Sequence, residues 1–339
     1  MTVTFGVIAY NEHRYLPDLL EDLLKQTYSR SLIEVILVDG NSTDDTLNIM
    51  KAFQQKYKDV FLDIKVLDNP KRNQPAGWNV VLKNSTSDIL LRIDAHARLP
   101  ENFVEKNVEC INRGEYVCGG PRENIIDENS PWKQMLLAAE QSMFGSGIAS
   151  YRQDTEKKKY VKSVFHGAYR KEVVDKVGFF NEKLKRTEDN EYHYRVRKNG
   201  YKICYDPEIK SYYQTRNSLK GMVKQKYLNG YWIGKTLLCC PKCISVFHLV
   251  PFAFVLSVFF TTILAVVGIW WPLIALWGAY GIVNIGMTVG AFRQNFRFVY
   301  VAIPMVFLLL HVNYGVGTAL GIIAAIPESL YAKIGENRG

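Results

Sequence analysis

Hydrophobic and polar positions divide the chain into two materials. Before Lys242, short apolar runs alternate with stretches of helical periodicity; from Ile244 to Phe292, and again from Phe298 to Pro327, there is no Asp, Glu, Lys or Arg. In the first hundred residues Val3 to Ala9, Glu34 to Val38, Leu62 to Leu67 and Ile89 to Ile93 read as strands. Between them Leu16, Leu19, Leu20, Leu23 and Leu24 recur at helical spacing, and a second helix is predicted after the Ser42/Thr43 cap signal, with Asp44 and Asp45 in its first turn. This order predicts an α/β domain around a mostly parallel, Rossmann-like sheet. After Pro100 the alternation gives way to helix, a Gly-Gly-Pro turn at Gly119 to Pro121 and a polar, mobile loop around Asp154 to Lys159. A helix opening at Thr187-Glu188-Asp189 and running through Arg197, then a strand near Ile203, complete the pattern, which contains no internal repeat.

The charge-free runs change the picture from a soluble domain to an anchored one. Two spans of about 20 residues fit the first run and one the second, the length a helix needs to cross a bilayer. The predicted spans are 244–267, 272–291 and 299–326, with a turn near Trp270-Trp271-Pro272. His311, Asn313 and several glycines interrupt the third run, so a re-entrant or tilted segment is its alternative. Overall there are 42 Lys+Arg against 33 Asp+Glu, and the surplus is densest just before the first span. From Lys210 to Lys242 there are seven basic residues and no acid, and Arg293 and Arg297 separate the second and third runs. The positive-inside rule makes both flanks cytoplasmic, and a third span would place Lys333 to Gly339 outside. The apolar start Thr2 to Ala9 lacks a basic leader, so the expectation is no cleavable signal and a cytoplasmic amino-terminal domain on a multi-pass cell-membrane anchor. Over 217–238, Leu219, Met222, Val223, Tyr227 and Tyr231 share one side and Lys220 and Lys224 another, which predicts a helix lying in the interface among membrane lipids, with a surface helix packed on the catalytic domain as the alternative. The organisation expected is therefore a catalytic domain over 1–212, an interface helix over 213–242 and an anchor over 243–339. Cys240-Pro-Lys-Cys243 has the spacing of half a zinc site but no second pair follows, and the six cysteines are read as reduced bystanders. Disorder, collagen and a disulfide scaffold are excluded, and the basic charge lies beside a span without an aromatic-basic RNA motif, so no nucleic acid is expected.

Ligands of open α/β sheets bind beyond the carboxyl ends of the strands, so Asn11-Glu12, Asp39-Gly40-Asn41-Ser42 and Asp94-Ala95-His96 should converge on one crevice. Asp39 stands at a strand end, where a carboxylate can accept from a nucleobase N–H or a ribose hydroxyl; Asp44 is better read as a cap of the next helix. Asp94 and His96, two residues apart past an apolar strand, would point the same way if extended and suit one divalent ion bridging to a diphosphate. Carboxylate favours Mg²⁺, and added imidazole moves the preference toward Mn²⁺. Glu188-Asp189 has two readings that the residues alone leave open: acids complementing a helix dipole, or a general base.

Taken in order, Tyr10-Asn11-Glu12, Asp39 to Thr46, Ala76-Gly77-Trp78-Asn79, Asp94-Ala95-His96, Gly167-Ala168-Tyr169-Arg170 and Thr187-Glu188-Asp189 resemble family 2 glycosyltransferases of the GT-A fold over residues 1–230, and among them the membrane-anchored succinoglycan-type glucosyltransferases of exopolysaccharide synthesis. The resemblance implies that Tyr10 and Glu12 line the nucleotide pocket, Asp39 reads uracil and ribose, Lys71 or Arg72 reaches the same ligand, and Asp94 holds the ribose and metal side of a UDP-sugar donor. It implies Asp189 as catalytic base with Glu188 beside it. His96 departs from the family's Asp-x-Asp, although the animal mucin-type transferases hold Mn²⁺ with Asp-x-His. Processive synthases carry Gln-x-x-Arg-Trp where this chain reads Gln225 to Trp232; Gln225 and Trp232 would border the acceptor, and transfer of one sugar is expected. The implied reaction is inverting transfer of a hexose to a polyprenyl-linked or glycolipid acceptor, with polyprenyl phosphate itself and a non-catalytic membrane scaffold as alternatives. An oligomer is compatible with the sequence.

Overall fold

The computed structural model describes residues 1–145, 156–294 and 297–336, with side chains throughout except at 293–294 and 328–336. The chain forms two compact units, Met1–Ile125 with Ala149–Gln214, and Ile126–Ile148 with Thr215–Gly339. The segment Ile126–Ile148, from the middle of the predicted 1–212 domain, thus groups with the carboxyl-terminal part, a long-range association that local periodicity does not report.

The first unit contains β1 (Val3–Ala9), α1 (Leu16–Leu24), β2 (Ile33–Asp39), α2 (Thr46–Tyr57), β3 (Asp63–Asp68), α3 (Gln74–Asn84), β4 (Ile89–Asp94), β5 (Ala97–Arg98), α4 (Phe103–Asn112), β6 (Val117–Gly119) and β7 (Arg122–Ile125). In the second unit lies α5 (Pro131–Gln141), after which the first resumes with β8 (Lys159–Val161), β9 (Ala168–Arg170), α6 (Lys171–Val177), α7 (Glu188–Lys198), β10 (Ile203–Tyr205) and β11 (Ser211–Gln214). Eight strands form one sheet in the order β3-β2-β1-β4-β9-β6-β10-β8, and β5-β11-β7 form a second. The first four strands of the large sheet are parallel, whereas β9 runs antiparallel to both of its neighbours. The five strands read from the sequence are all present, as β1 to β4 and β10. The short ones, β5 to β9 and β11, carry too few residues for a periodic signal. Of the polar loop predicted around Asp154 to Lys159, residues 154 and 155 lie outside the described residues, and Lys159 opens β8.

Helices cover both faces of the sheet, which is why β2 is buried at every position and reads as one apolar run. Val3, Phe5 and Val7 of β1 meet the leucines of α1 in one core, while Trp78 and Val81 of α3 pack with Val173 and Tyr192 in the other. Gly6 is required there: a Cβ would stand 2.7 Å from Val81 Cγ1. At the sheet's amino-terminal edge the buried Glu34 accepts from Thr4 Oγ1 (2.5 Å), Lys65 Nζ (2.7 Å) and the Thr86 N–H (3.1 Å), tying β1, β2, β3 and the turn before β4 together.

The second unit adds α8 (Leu219–Cys239), α9 (Val250–Val266), α10 (Trp271–Gln294) and α11 (Ile303–Glu336) to α5. Among the described residues three stretches are long and apolar enough to cross a membrane: Val246–Val266, Trp271–Phe292 and Phe298–Pro327. Lys220 and Lys224 of α8 are exposed, but the helix is not held by its apolar side alone. Gly230 and Gly234 face the backbone of Tyr314 and Thr318, and Gly317 and Gly321 face that of Tyr227 and Tyr231. Four glycines at a spacing of four on two helices let the backbones touch, the small-residue packing of membrane helix pairs.

Candidate active site

Parallel register decides which strand ends meet. Ala9 pairs with Asp39, Asp39 with Asp68, and Ile8 with Asp94, so the carboxyl ends of β1 to β4 lie side by side and the expected convergence is found. The loops leaving these ends contain all three non-glycine residues of positive φ among those described, Asn11 (56°), Asn41 (63°) and Arg72 (51°). Asparagine tolerates this conformation; arginine does so seldom, and such residues cluster where function fixes the backbone.

Asn11 links the first two loops: its N–H donates to Ser42 Oγ at 3.0 Å and its side-chain oxygen accepts from the Thr43 N–H at 2.9 Å. Asp39 is 2% exposed and accepts from the Ser42 N–H at 3.0 Å. Tyr10 stands exposed beside it on the loop after β1. The second helix starts later than expected. Asp44 and Asp45 precede α2 rather than forming its first turn, because Asp44 folds back to accept from the Thr46 N–H (3.0 Å) and Oγ1 (2.5 Å). His13 Nδ1 lies 2.6 Å from the same carboxylate, and these contacts outweigh its burial to hold Asp44 well below the usual carboxylate range. The two basic candidates separate: with the Asn41 amide oxygen turned inward, it accepts from Arg72 Nη2 at 2.7 Å, whereas Lys71 pairs with Glu182 at 2.5 Å.

Asp94 and His96 do not extend together. The chain turns at Ala95 and His96 to begin β5, so the expected strand alternation between them fails. The turn carries the imidazole to Glu12, whose Oε1 lies 3.0 Å from Nδ1, and against the Tyr213 ring at 4.7 Å between centroids. Burial opposes a charge on His96, but Tyr213, Glu12 and Asp94 together hold it up to about 10. Its Nε2 is buried without a hydrogen-bond partner. Among the described residues no three His, Cys, Asp or Glu side chains form a metal cage. The donor set that remains, a carboxylate at the end of β4 and an imidazole oriented through its other nitrogen, suits Mg²⁺ or Mn²⁺, which take one or two protein ligands and complete their shell with phosphate oxygens and water. A cation taking Nε2 has to displace the proton.

Around Glu188 and Asp189 three acids open α7, Glu188, Asp189 and Glu191. Glu191 is clamped by Arg195 at 2.6 and 2.9 Å. Glu188 is 2% exposed and accepts from Arg92 Nη2 at 2.9 Å; burial pushes its carboxyl up to about 8 against the pull of Arg92. Asp189 is half-buried, accepts from the Asn190 N–H at 2.8 Å, and makes no ion pair with any described residue. Trp78 of the Ala-Gly-Trp-Asn segment lies under the Arg92 guanidinium, 5.0 Å to the ring centroid, while Asn79 donates to the Phe180 carbonyl at 3.0 Å.

The one sequence signal for a role of Arg92 is its place inside an otherwise apolar strand. Local pattern gives no role to Arg122, whose guanidinium lies over Phe165 (4.4 Å) and Tyr213 (4.2 Å), or to His166, whose two ring nitrogens are buried without hydrogen-bond partners and which burial pushes down to about 3. Gln225 and Trp232 lie on α8, in the other unit.

Comparison with known proteins places this arrangement. The family model for glycosyl transferase family 2 matches residues 4–178. Over 330 residues, 95% of this chain and 97% of the relative, the chain is 27% identical to the dolichyl N-acetyl-alpha-D-glucosaminyl phosphate 3-beta-D-2,3-diacetamido-2,3-dideoxy-beta-D-glucuronosyltransferase of Methanococcus voltae. It is 27% identical over 263 residues, 76% of each chain, to the succinoglycan biosynthesis protein ExoA of Rhizobium meliloti (strain 1021). Among solved structures, the mannosyltransferase PcManGT from Pyrobaculum calidifontis, in complex with GDP-Man and Mn²⁺, shares the fold with a TM-score of 0.59 at 14% identity, covering 94% of this chain and 86% of that one. A match over more than half of the sequence, on a GT-A sheet whose strand ends carry the expected acids, makes this chain a member of glycosyltransferase family 2.

Proposed function

We propose that the protein is an inverting transferase that moves one hexose-type sugar from a UDP-sugar to a polyprenyl-linked saccharide at the cytoplasmic face of the membrane. The observation that carries the mechanism is the first turn of α7: two of its three acids are committed to arginines, and Asp189 alone is left to accept a proton. Asp189 takes the proton of the acceptor hydroxyl as that oxygen attacks the anomeric carbon. The new carbon–oxygen bond forms opposite the old one, whose electron pair leaves with the diphosphate, so an α-linked donor yields a β-linked product. Asp94 and His96 would hold a divalent cation, which when bound supplies charge compensation for the diphosphate. Asp39, Tyr10 and Arg72, on the adjoining loops, face the nucleotide.

The lipid-linked acceptor rests on the relative of matching length, whose name specifies a dolichyl phosphate-linked sugar, and on three stretches able to span a membrane. Gln225 and Trp232 are assigned to its side of the site. Transfer of a single sugar rests on the absence of Gln-x-x-Arg-Trp from residues 225–232.

The test is a panel of UDP-glucose, UDP-GlcNAc, UDP-glucuronate and GDP-mannose, offered with Mn²⁺ to the full chain in lipid nanodiscs with either a polyprenyl diphosphate saccharide or bare polyprenyl phosphate. Label extracted with the lipid-linked saccharide from one UDP-sugar is the expected result. Label on bare polyprenyl phosphate alone transfers the assignment to that acceptor, and no transfer together with no UDP binding overturns the enzymatic reading.

A further inference from the structure

The strand that ends in Asp94 carries a second charged residue two positions earlier, Arg92, and alternation puts both on one face of the sheet. Arg92 is 6% exposed. A buried guanidinium is costly unless its donors are used, yet Nη2 alone is bonded, to Glu188, while Nε and Nη1 of Arg92 and Oε2 of Glu188 are buried without hydrogen-bond partners. The guanidinium carbon lies over two aromatic rings, 5.0 Å from the Trp78 centroid and 5.5 Å from that of Phe180. Both aromatic residues are themselves fixed, Trp78 in α3 and Phe180 through Asn79, which donates to its carbonyl and accepts from its N–H at 2.7 Å. Its charge reaches Glu188, Asp189 and Asp94. Glu188 and Asp189 are consecutive, so whatever fixes the first fixes the first turn of α7 on which the second stands.

We propose that Arg92 is a positioning residue for the transfer: by gripping Glu188 from β4 it sets the distance between Asp189, at the start of α7, and the donor site that begins at Asp94 on the same strand. The pair ties acceptor activation to donor binding through one rigid link, β4 to α7, rather than through a loop. Glu188 is then the link's far end and not a second base. The inference rests on the reading of Asp189 as base.

The experiment uses the full chain in nanodiscs and the UDP-sugar and acceptor that the wild type turns over in the panel above, with UDP affinity measured separately. In Arg92→Met, kcat falls by about 100-fold, the size of effect that a misplacement of about 1 Å produces, while the donor KM and UDP affinity stay within about threefold. Arg92→Lys, which keeps a cation but not the planar fork, recovers about tenfold of that loss, and Glu188→Gln loses kcat in the same pattern. Arg92→Met with kcat within about threefold of wild type overturns the inference, as does a loss that appears equally in UDP affinity, or Arg92→Lys no better than Arg92→Met. Should Arg92→Met fail to fold, wild-type kcat in both Arg92→Lys and Glu188→Gln overturns it, and a selective kcat loss in both supports it. Asp189→Asn separates this failure from failure of the base reading: an active Asp189→Asn sinks the base, whereas an inactive Asp189→Asn beside an active Arg92→Met sinks only the role of Arg92.

Discussion

At the scale of single residues, the site is defined by which polar groups are already engaged. His193, on the buried side of α7, is a case outside the chemistry: Nδ1 lies 2.9 Å from Ser163 Oγ and Nε2 2.8 Å from the Tyr169 hydroxyl. Burial, reinforced by Arg92 and Arg197, pushes this imidazole down to about 3. With the folded value below the ordinary one, the unfolded chain binds a proton that the folded chain refuses. The stability that neutral His193 contributes is therefore complete above about pH 6.5 and is lost as the pH falls below it, by about 1.4 kcal/mol per pH unit down to the folded value. Urea unfolding at pH 7 and pH 5 should show a flatter loss in His193→Gln than in wild type; equal slopes would refute the assignment. Asp39 and Asp94 stand where strands end, positions readable from local pattern, whereas Asp189 at the start of α7 is singled out only by the family resemblance, since an acid there fits a helix dipole equally well. The Arg92–Glu188 pair is not legible in the sequence, because its partners are 96 residues apart and nothing local announces which acid a strand arginine will meet.

Among the elements, the long parallel strands and the leucine stripe of α1 follow from period alone, since each is long enough for burial to impose its signature. The turn at Ala95-His96 was invisible for the opposite reason: it is made by a two-residue strand, β5, recruited by β11 more than a hundred residues later. The helix α8 shows the same limit. Its apolar side suggested a membrane surface, while its glycines, which have no side chain to register in a hydropathy pattern, turned out to make the contact with α11. Gly321 is the sharpest test, because a Cβ there would run into the backbone oxygen of Tyr231, an atom that cannot swing aside. Gly321→Leu should cost about 1–3 kcal/mol and lower the melting temperature in detergent by about 5 °C. Gly278→Leu on α10, where a Cβ meets nothing within 4 Å, should leave it unchanged. Equal effects of the two substitutions would mean that α8 and α11 do not pack through these glycines.

For the whole molecule, the charge-free carboxyl-terminal runs and the charged α/β part remain distinct materials in the structure, with one exception. Helix α5 belongs to the second unit, where Met135 and Leu136 share a core with Met222, Ile303 and Phe307, and Glu140 lies 3.8 Å from Lys226. The chain is a family 2 glycosyltransferase, and the proposed transfer to a lipid-linked acceptor turns on Asp189 as its base. The most direct test compares wild type with Asp189→Asn for transfer of radiolabelled sugar to the lipid-linked acceptor, alongside UDP affinity. The account predicts that transfer falls by at least about 1,000-fold, as for loss of an essential proton acceptor, with UDP affinity within about threefold and a β-linked product from the wild type. Substantial turnover by Asp189→Asn, or an α-linked product from an α-linked donor, would contradict it.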